Sequence, residues 1–220
     1  MKARSQIAFI ILLIAAMYGC KKDQNSNFGV KGHVTDGDTG ESLADAQIEV
    51  EKQVVTSGVF GNVFQHAATT RTDASGNYSC TWPRENFAAL RMIAEKNNYI
   101  STEKSLDVDA FKKEDFEYIT QDVKLYKEAF IQVRLQHSGM INNQDQLDFT
   151  FLNANFICNC CSNGWRSFDG GQVDTTFTCR LYGNRWIKYQ AQTTIAFVDS
   201  IFVDSVYCPA FDTTAILINY

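Results

Sequence analysis

From residue 28 onward, apolar and polar positions alternate with a period of two. Val30, Gly32 and Val34 share one side of an extended chain, and Lys31, His33 and Thr35 share the other. Asp36-Gly37-Asp38-Thr39-Gly40 interrupts this run with turn formers, after which Ala44, Ala46, Ile48 and Val50 alternate with Asp45, Gln47, Glu49 and Glu51. A second turn cluster, residues 72–77, precedes Tyr78, and residues 122–126 supply a further strand. In the second half, Ile131, Val133 and Leu135 alternate with polar neighbours, as do Leu147, Phe149 and Phe151. Residues 175–182 and 185–192 flank Gly183-Asn184, which predicts a two-residue hairpin, and residues 201–207 and 215–220 supply two more strands. Gly61-Asn62 predicts another such turn at the tip of an excursion over residues 53–70. Val59, Phe60, Val63 and Phe64 would ride on that excursion as a candidate partner loop. No long stretch of helical period intervenes, so the pattern predicts an all-β protein with antiparallel sheets, each having one wet face.

The first twenty residues do not belong to this pattern. Lys2 and Arg4 precede an uncharged apolar run at residues 7–16, a length that suits a signal peptide and falls short of the roughly 20 residues needed to span a bilayer. Met17-Tyr18-Gly19-Cys20 and the polar stretch after it resemble the lipobox region of bacterial lipoprotein precursors. That resemblance implies cleavage after Gly19, acylation of Cys20, and a short tether over residues 20–27. Several acyl chains, at about 0.8 kcal/mol per buried CH₂, would make a stable anchor. Lys21 is not the acidic residue associated with inner-membrane retention, so the expected location is the outer membrane, with the periplasmic or cell-surface side left open.

Four blocks then carry a second resemblance: Val30-Lys31-Gly32-His33-Val34-Thr35-Asp36, Thr39-Gly40-Glu41-Ser42-Leu43-Ala44-Asp45-Ala46, Thr72-Asp73-Ala74-Ser75-Gly76-Asn77-Tyr78 and Asn98-Tyr99-Ile100. Together they resemble the carboxypeptidase regulatory-like domain, which implies a transthyretin-like β-sandwich over residues 28–127. Gly40 and Gly76 fit turn positions, Asp73 can accept hydrogen bonds from its own turn, and Tyr78 is expected in the core. A calcium loop built on Asp36, Asp38 and Glu41 would need six to eight oxygens, and the spacing that supplies them is missing. Residues 128–220 form a second, Cys-rich β-sandwich of immunoglobulin-like type with no motif that names it. The expected organisation is therefore two tandem sandwich domains after a lipoprotein signal peptide.

Charge and cysteine content narrow the partners. Without Lys2 and Arg4, 18 of the 20 basic residues remain against 25 acidic ones, near −7, and no basic run offers a nucleic-acid surface. Export places the cysteines in an oxidising compartment. Beyond Cys20, disulfides are expected among Cys158, Cys160, Cys161, Cys179 and Cys208, in preference to a metal site, since paired Cys-x-x-Cys knuckles are absent. Cys80 reads as a buried small hydrophobe. Thr175, Ser200, Ser205 and Thr213 each follow Asp and precede a Thr or an apolar residue, resembling an O-glycosylation sequon of some envelope bacteria.

His33, His66 and His137 are scattered, and no catalytic motif or phosphate loop is present. We therefore expect no enzyme, no cofactor and no metal. The expected function is an envelope-anchored binding protein that presents sandwich loops to a glycan or protein, with Trp82, Trp165 and Trp186 as candidate stacking faces. The alternative is an accessory subunit of an outer-membrane receptor or transport assembly.

Overall fold

The computed structural model describes residues 27–56, 59–112, 118–137, 144–157, 161–169 and 173–220, with the backbone only for residues 55–56, 59–62 and 111–112. Cys20, the apolar run before it, Cys158 and Cys160 lie outside the described residues.

The chain is nearly all β. The strands are β1 (Phe28–Asp36), β2 (Gln47–Thr56), β3 (Val59–Arg71), β4 (Asn77–Trp82), β5 (Phe87–Glu95), β6 (Tyr99–Ile100), β7 (Thr102–Leu106) and β8 (Tyr118–Thr120). They continue with β9 (Val123–Gln136), β10 (Gln146–Phe151), β11 (Arg166–Asp169), β12 (Asp174–Tyr182), β13 (Arg185–Ile195), β14 (Val198–Cys208) and β15 (Thr213–Asn219). Among the described residues, one 3-10 turn occupies Val108–Lys112.

One seven-stranded sheet runs in the order β12-β9-β1-β4, with β6, β8 and β15 attached beside it. The other described strands form two four-stranded sheets, β3-β2-β5-β7 and β11-β10-β13-β14. The apolar faces pair off into two buried clusters. Val30, Tyr78 and Trp82 pack with Ile48, Leu90 and Met92 in the first. Ile131, Val133 and Leu181 pack with Phe149, Ile187 and Tyr189 in the second. Both clusters have the layout of sheet packed on sheet, in which alternating inward residues fill a layer about 10 Å thick.

Strand β9 takes part in both clusters. The pattern reads residues 122–126 and 131–136 as separate strands, but they form one strand of 14 residues, about 46 Å at the usual rise. Its alternate positions Val123, Leu125, Ala129, Ile131, Val133 and Leu135 are all fully buried or nearly so. Only Lys127 interrupts that buried series. Along its length β9 exchanges partners, from β1 at Val123–Leu125, to β6 at Tyr126 and Lys127, to β12 and β15 beyond.

Two predicted hairpins are corrected. Gly61-Asn62 lies inside β3, because β2 and β3 remain paired as far as Thr56 and Val59. Gly183-Asn184 does not close a hairpin: β12 pairs with β9, whereas β13 pairs with β10 and β14. The dipeptide instead carries the chain from one sheet to another, with Asn184 at φ 56°. The hairpin in this region joins β13 to β14 through Ala196 and Phe197, at φ 49° and 66°.

Candidate functional site

The β13–β14 hairpin is built from eleven consecutive antiparallel pairs, from Arg185↔Cys208 to Ile195↔Val198, without a register shift. Its base is anchored in the second cluster by Ile187, Tyr189, Ala191 and Cys208. Toward the tip the strand leaves that support. Val198 and Ile201 are each 65% exposed, and Phe197 at the apex is 79% exposed. Phe202 and Val203, 46% exposed each, project to opposite sides, so both faces of the outer strand carry exposed apolar groups. Near the base, exposed Trp186 and Tyr207 face one another with ring centroids 5.6 Å apart. Among the described residues, β14 pairs with β13 alone and forms the edge of its sheet.

The turn is held in an unusual backbone conformation. Two successive residues at positive φ suit Asn-Gly, and at Ala or Phe each such residue costs about 1–2 kcal/mol. A buried brace opposes this strain. The Asp145 carboxylate accepts the Ala196 N–H at 3.0 Å and the His137 Nε2–H at 3.1 Å. His137 and Asp145 side chains are each 2% exposed, and the Tyr220 ring stands edge-on to the imidazole. This His–Asp pair has the composition of a base and its orienter, but its burial denies it to a substrate. Its visible role is to fix the tip. The sequence offers little signal for it, since the partners converge only when the ends of β9 and β15 meet the β13–β14 turn.

A polar hub lies where the two clusters meet. Asp36, 1% exposed, accepts N–H groups of Asp38 (2.9 Å) and Thr39 (3.0 Å) on one oxygen; Lys127 Nζ (2.9 Å) and Tyr99 Oη–H (3.1 Å) reach the other. Burial pushes this carboxyl up, but the Lys127 ammonium and the donated hydrogen bonds outweigh it and hold it at about 2. Asp38 pairs with Arg185 and Glu41 accepts the Thr39 hydroxyl, so each carboxylate considered for a calcium loop already has a partner. Beside the hub is an open polar groove of about 610 Å³, whose charged groups largely answer one another: Arg71 bonds Asp45 at 3.0 Å and Arg180 bonds Glu128 at 2.7 Å.

The sequence-derived candidates disperse over the molecule. Val63 is 71% exposed, whereas Phe64 is half-buried beneath the Arg91 guanidinium, 4.2 Å from its ring centre. Val59 and Phe60 enter β3, and their side chains are outside the described residues. Cys161 and Cys179 form a disulfide with Cα atoms 5.7 Å apart, and Cys208 is a buried thiol. Cys80 is likewise a buried thiol, pushed up to about 11 by desolvation. Thr175 lies half-buried on β12; Ser200 and Ser205 are exposed on β14, and Thr213 is exposed on β15. Trp82 is buried at 1% exposure, while Trp165 and Trp186 are 52% and 63% exposed. His33 bonds Asn77 and Ser42, and His66 stands 3.9 Å from Glu49. Among the described residues, no three His, Cys, Asp or Glu side chains gather around a common metal position.

The architecture is that of an all-β protein of the sandwich kind. No protein-family model matches the chain, and no curated protein does. Among solved structures it is similar to the Bacillus anthracis TIE protein, at 15% identity and TM-score 0.37, over 89% of this chain and 34% of that one. The chain thus spans about a third of that protein. It is also similar to the shaft pilin SpaA from Lactobacillus rhamnosus GG, at 11% identity and TM-score 0.29, over 89% of this chain and 97% of the pilin. A partial match to chlorocatechol 1,2-dioxygenase from Pseudomonas putida has 15% identity and TM-score 0.34, over 48% of this chain and 62% of the enzyme. These likenesses concern all-β architecture and assign neither activity nor partner.

Proposed function

We propose that the chain is a lipid-anchored, non-catalytic binding protein of the bacterial outer membrane. In this reading Cys20 carries the acyl anchor, residues 28–127 form a carboxypeptidase regulatory-like sandwich, and residues 128–220 form a second sandwich. The ligand is a protein engaged through the β13–β14 hairpin. A single observation carries the reading: an edge strand, regular over eleven pairs, with exposed apolar side chains on both faces and Phe197 at its apex. Edges that remain in water are usually blunted by lysine, proline or a bulge, and β14 has none of these. A glycan would instead find exposed Trp165 before β11 and exposed Trp186 on β13, and the groove beside Asp36 offers mostly paired charges.

The accessory-subunit alternative keeps one specific support. Apolar groups on both sides of an exposed edge suit permanent cover better than reversible exchange, because obligate interfaces are the more hydrophobic ones. The test is photo-crosslinking from Phe197 in intact cells of the native host, with Cys20→Ala as a control. We expect adducts with envelope protein for the anchored form, and release of the Cys20→Ala form from the membrane fraction. An anchored protein that yields no protein adduct from Phe197 would refute the reading.

A further inference from the structure

We infer that β14 is a self-pairing edge: a second copy of this chain adds its own β14 antiparallel to the first, joining two four-stranded sheets into one of eight. This rests on the reading of the hairpin as a protein-binding element and names its occupant.

The case begins with the edge itself. β14 is in register with β13 over its whole length, and among the described residues it pairs with no other strand. Its outward row is engaged only towards the base, where the Ser205 N–H donates to the Asp204 carboxylate and the Tyr207 carbonyl accepts the Thr214 hydroxyl. It carries no lysine, arginine or proline to discourage pairing. Its charged residues are Asp199 and Asp204, which would repel a copy of themselves if the pairing brought them together. A two-fold pairing opposes an aspartate to its own copy only when the axis passes through that residue. About a two-fold axis, opposed residues on antiparallel strands project to the same side, so their numbers must sum to an even value. Asp199 and Asp204 project to opposite sides and can never be opposed.

A pairing centred on Val203 sets Asp199 against Tyr207, Asp204 against Phe202 and Ile201 against Ser205. A pairing centred on Phe202 sets each aspartate against a serine, with Ile201 against Val203. Both registers cover the apolar groups that the monomer leaves in water and neither opposes like charges. The aspartates already accept the Thr194 hydroxyl and the Ser205 N–H, and a basic partner strand would leave the exposed apolar groups beside them uncovered. A second copy supplies apolar cover on both faces of the strand.

The test uses the full acylated protein in detergent, with subunit number read by native mass spectrometry, beside Val203→Glu and Ile201→Glu. Val203 and Ile201 are 46% and 65% exposed, so both variants should keep the wild-type circular dichroism spectrum. In registers centred on residues 201 to 203, Val203→Glu meets Asp199, Ile201 or its own copy. We expect a dimer for the wild type and a dissociation constant raised about tenfold or more in Val203→Glu, since opposed like charges are strongly unfavourable. A photo-crosslinker at Val203 should give a species of twice the protomer mass containing this chain alone, and one at Val63 should not. A wild type that stays monomeric at tens of micromolar, or a Val203→Glu dimer as tight as wild type, overturns self-pairing. If the monomer still forms adducts with a different envelope protein from Phe197, self-pairing falls and the protein-binding reading stands. If it forms none, both fall.

Discussion

Asp36 ends β1 with each carboxylate oxygen engaged by two donors, a Lys127 ammonium among them. Its folded-state pKa, about 2, lies below the usual 3.8. A depressed carboxyl stabilises the fold at pH values above its unfolded pKa, and that contribution is lost as pH falls from about 4 towards 2. At about 1.4 kcal/mol per unit, the contribution at neutral pH is on the order of 2 kcal/mol. We expect Asp36→Asn to lower unfolding free energy by roughly that amount at pH 7. The gap to wild type should close as the pH is brought down to 2; a gap that stays constant in urea titrations would show that Asp36 acts through shape alone. The turn role of this residue type was legible in Asp36-Gly37-Asp38-Thr39-Gly40, as was that of Asp73, which accepts N–H groups of Ser75 and Asn77. Gly40 and Gly76 at φ 76° and 78° also fit the reading. The ammonium was not legible. Lys127 lies 91 positions from Asp36 in the chain, and nothing in the alternation distinguishes it from any other solvated lysine.

At the scale of elements, the strands were readable because their inward faces are buried and their period is two. Tyr78, Cys80 and Trp82 on β4 show this directly, each buried between exposed neighbours. Turns were read less well. Gly-Asn marks a positive-φ position wherever one is needed, and at Gly183-Asn184 it serves a crossing between sheets. Ala196-Phe197 gave no turn signal, since neither residue favours positive φ. Strain at an exposed turn that a fitter dipeptide would relieve points to a role for Phe197 outside the fold. We expect the double substitution Ala196→Asn, Phe197→Gly to raise unfolding free energy by about 1–2 kcal/mol. The same variant should lose adducts formed from the hairpin tip. A double variant no more stable than wild type would show that the brace from Asp145 already removes the strain.

At the scale of the whole molecule, β9 leaves little freedom between the two clusters. Around residues 127 and 128 the backbone also exchanges hydrogen bonds with Asn98, Gly183 and Phe211. Rings join across the same level, Tyr99 with Phe211 and Tyr126 with Tyr182, and Asp38 reaches Arg185. A break at this level would disrupt the strand that both clusters share. We therefore expect one cooperative unfolding transition, with fluorescence and far-ultraviolet circular dichroism coincident in denaturant. Two separated transitions would show that the clusters fold independently and that β9 merely passes between them.

The sequence alone determined the all-β class, the positions of most strands and which of their faces turn inward. These depend on local alternation, and alternation survives in any sheet that buries one side. Tertiary structure decided which strands are neighbours. It merged two predicted strands into β9, tied Asp36 to Lys127, joined Cys161 to Cys179, and left β14 on an edge with its apolar groups in water. Each of these depends on the meeting of residues far apart in the chain, and a period of two carries no information about which strand lies alongside. The candidate site shifted for that reason. Residues 201–207 read as an ordinary strand, and only the absence of a described neighbour beyond β14 turns them into a surface.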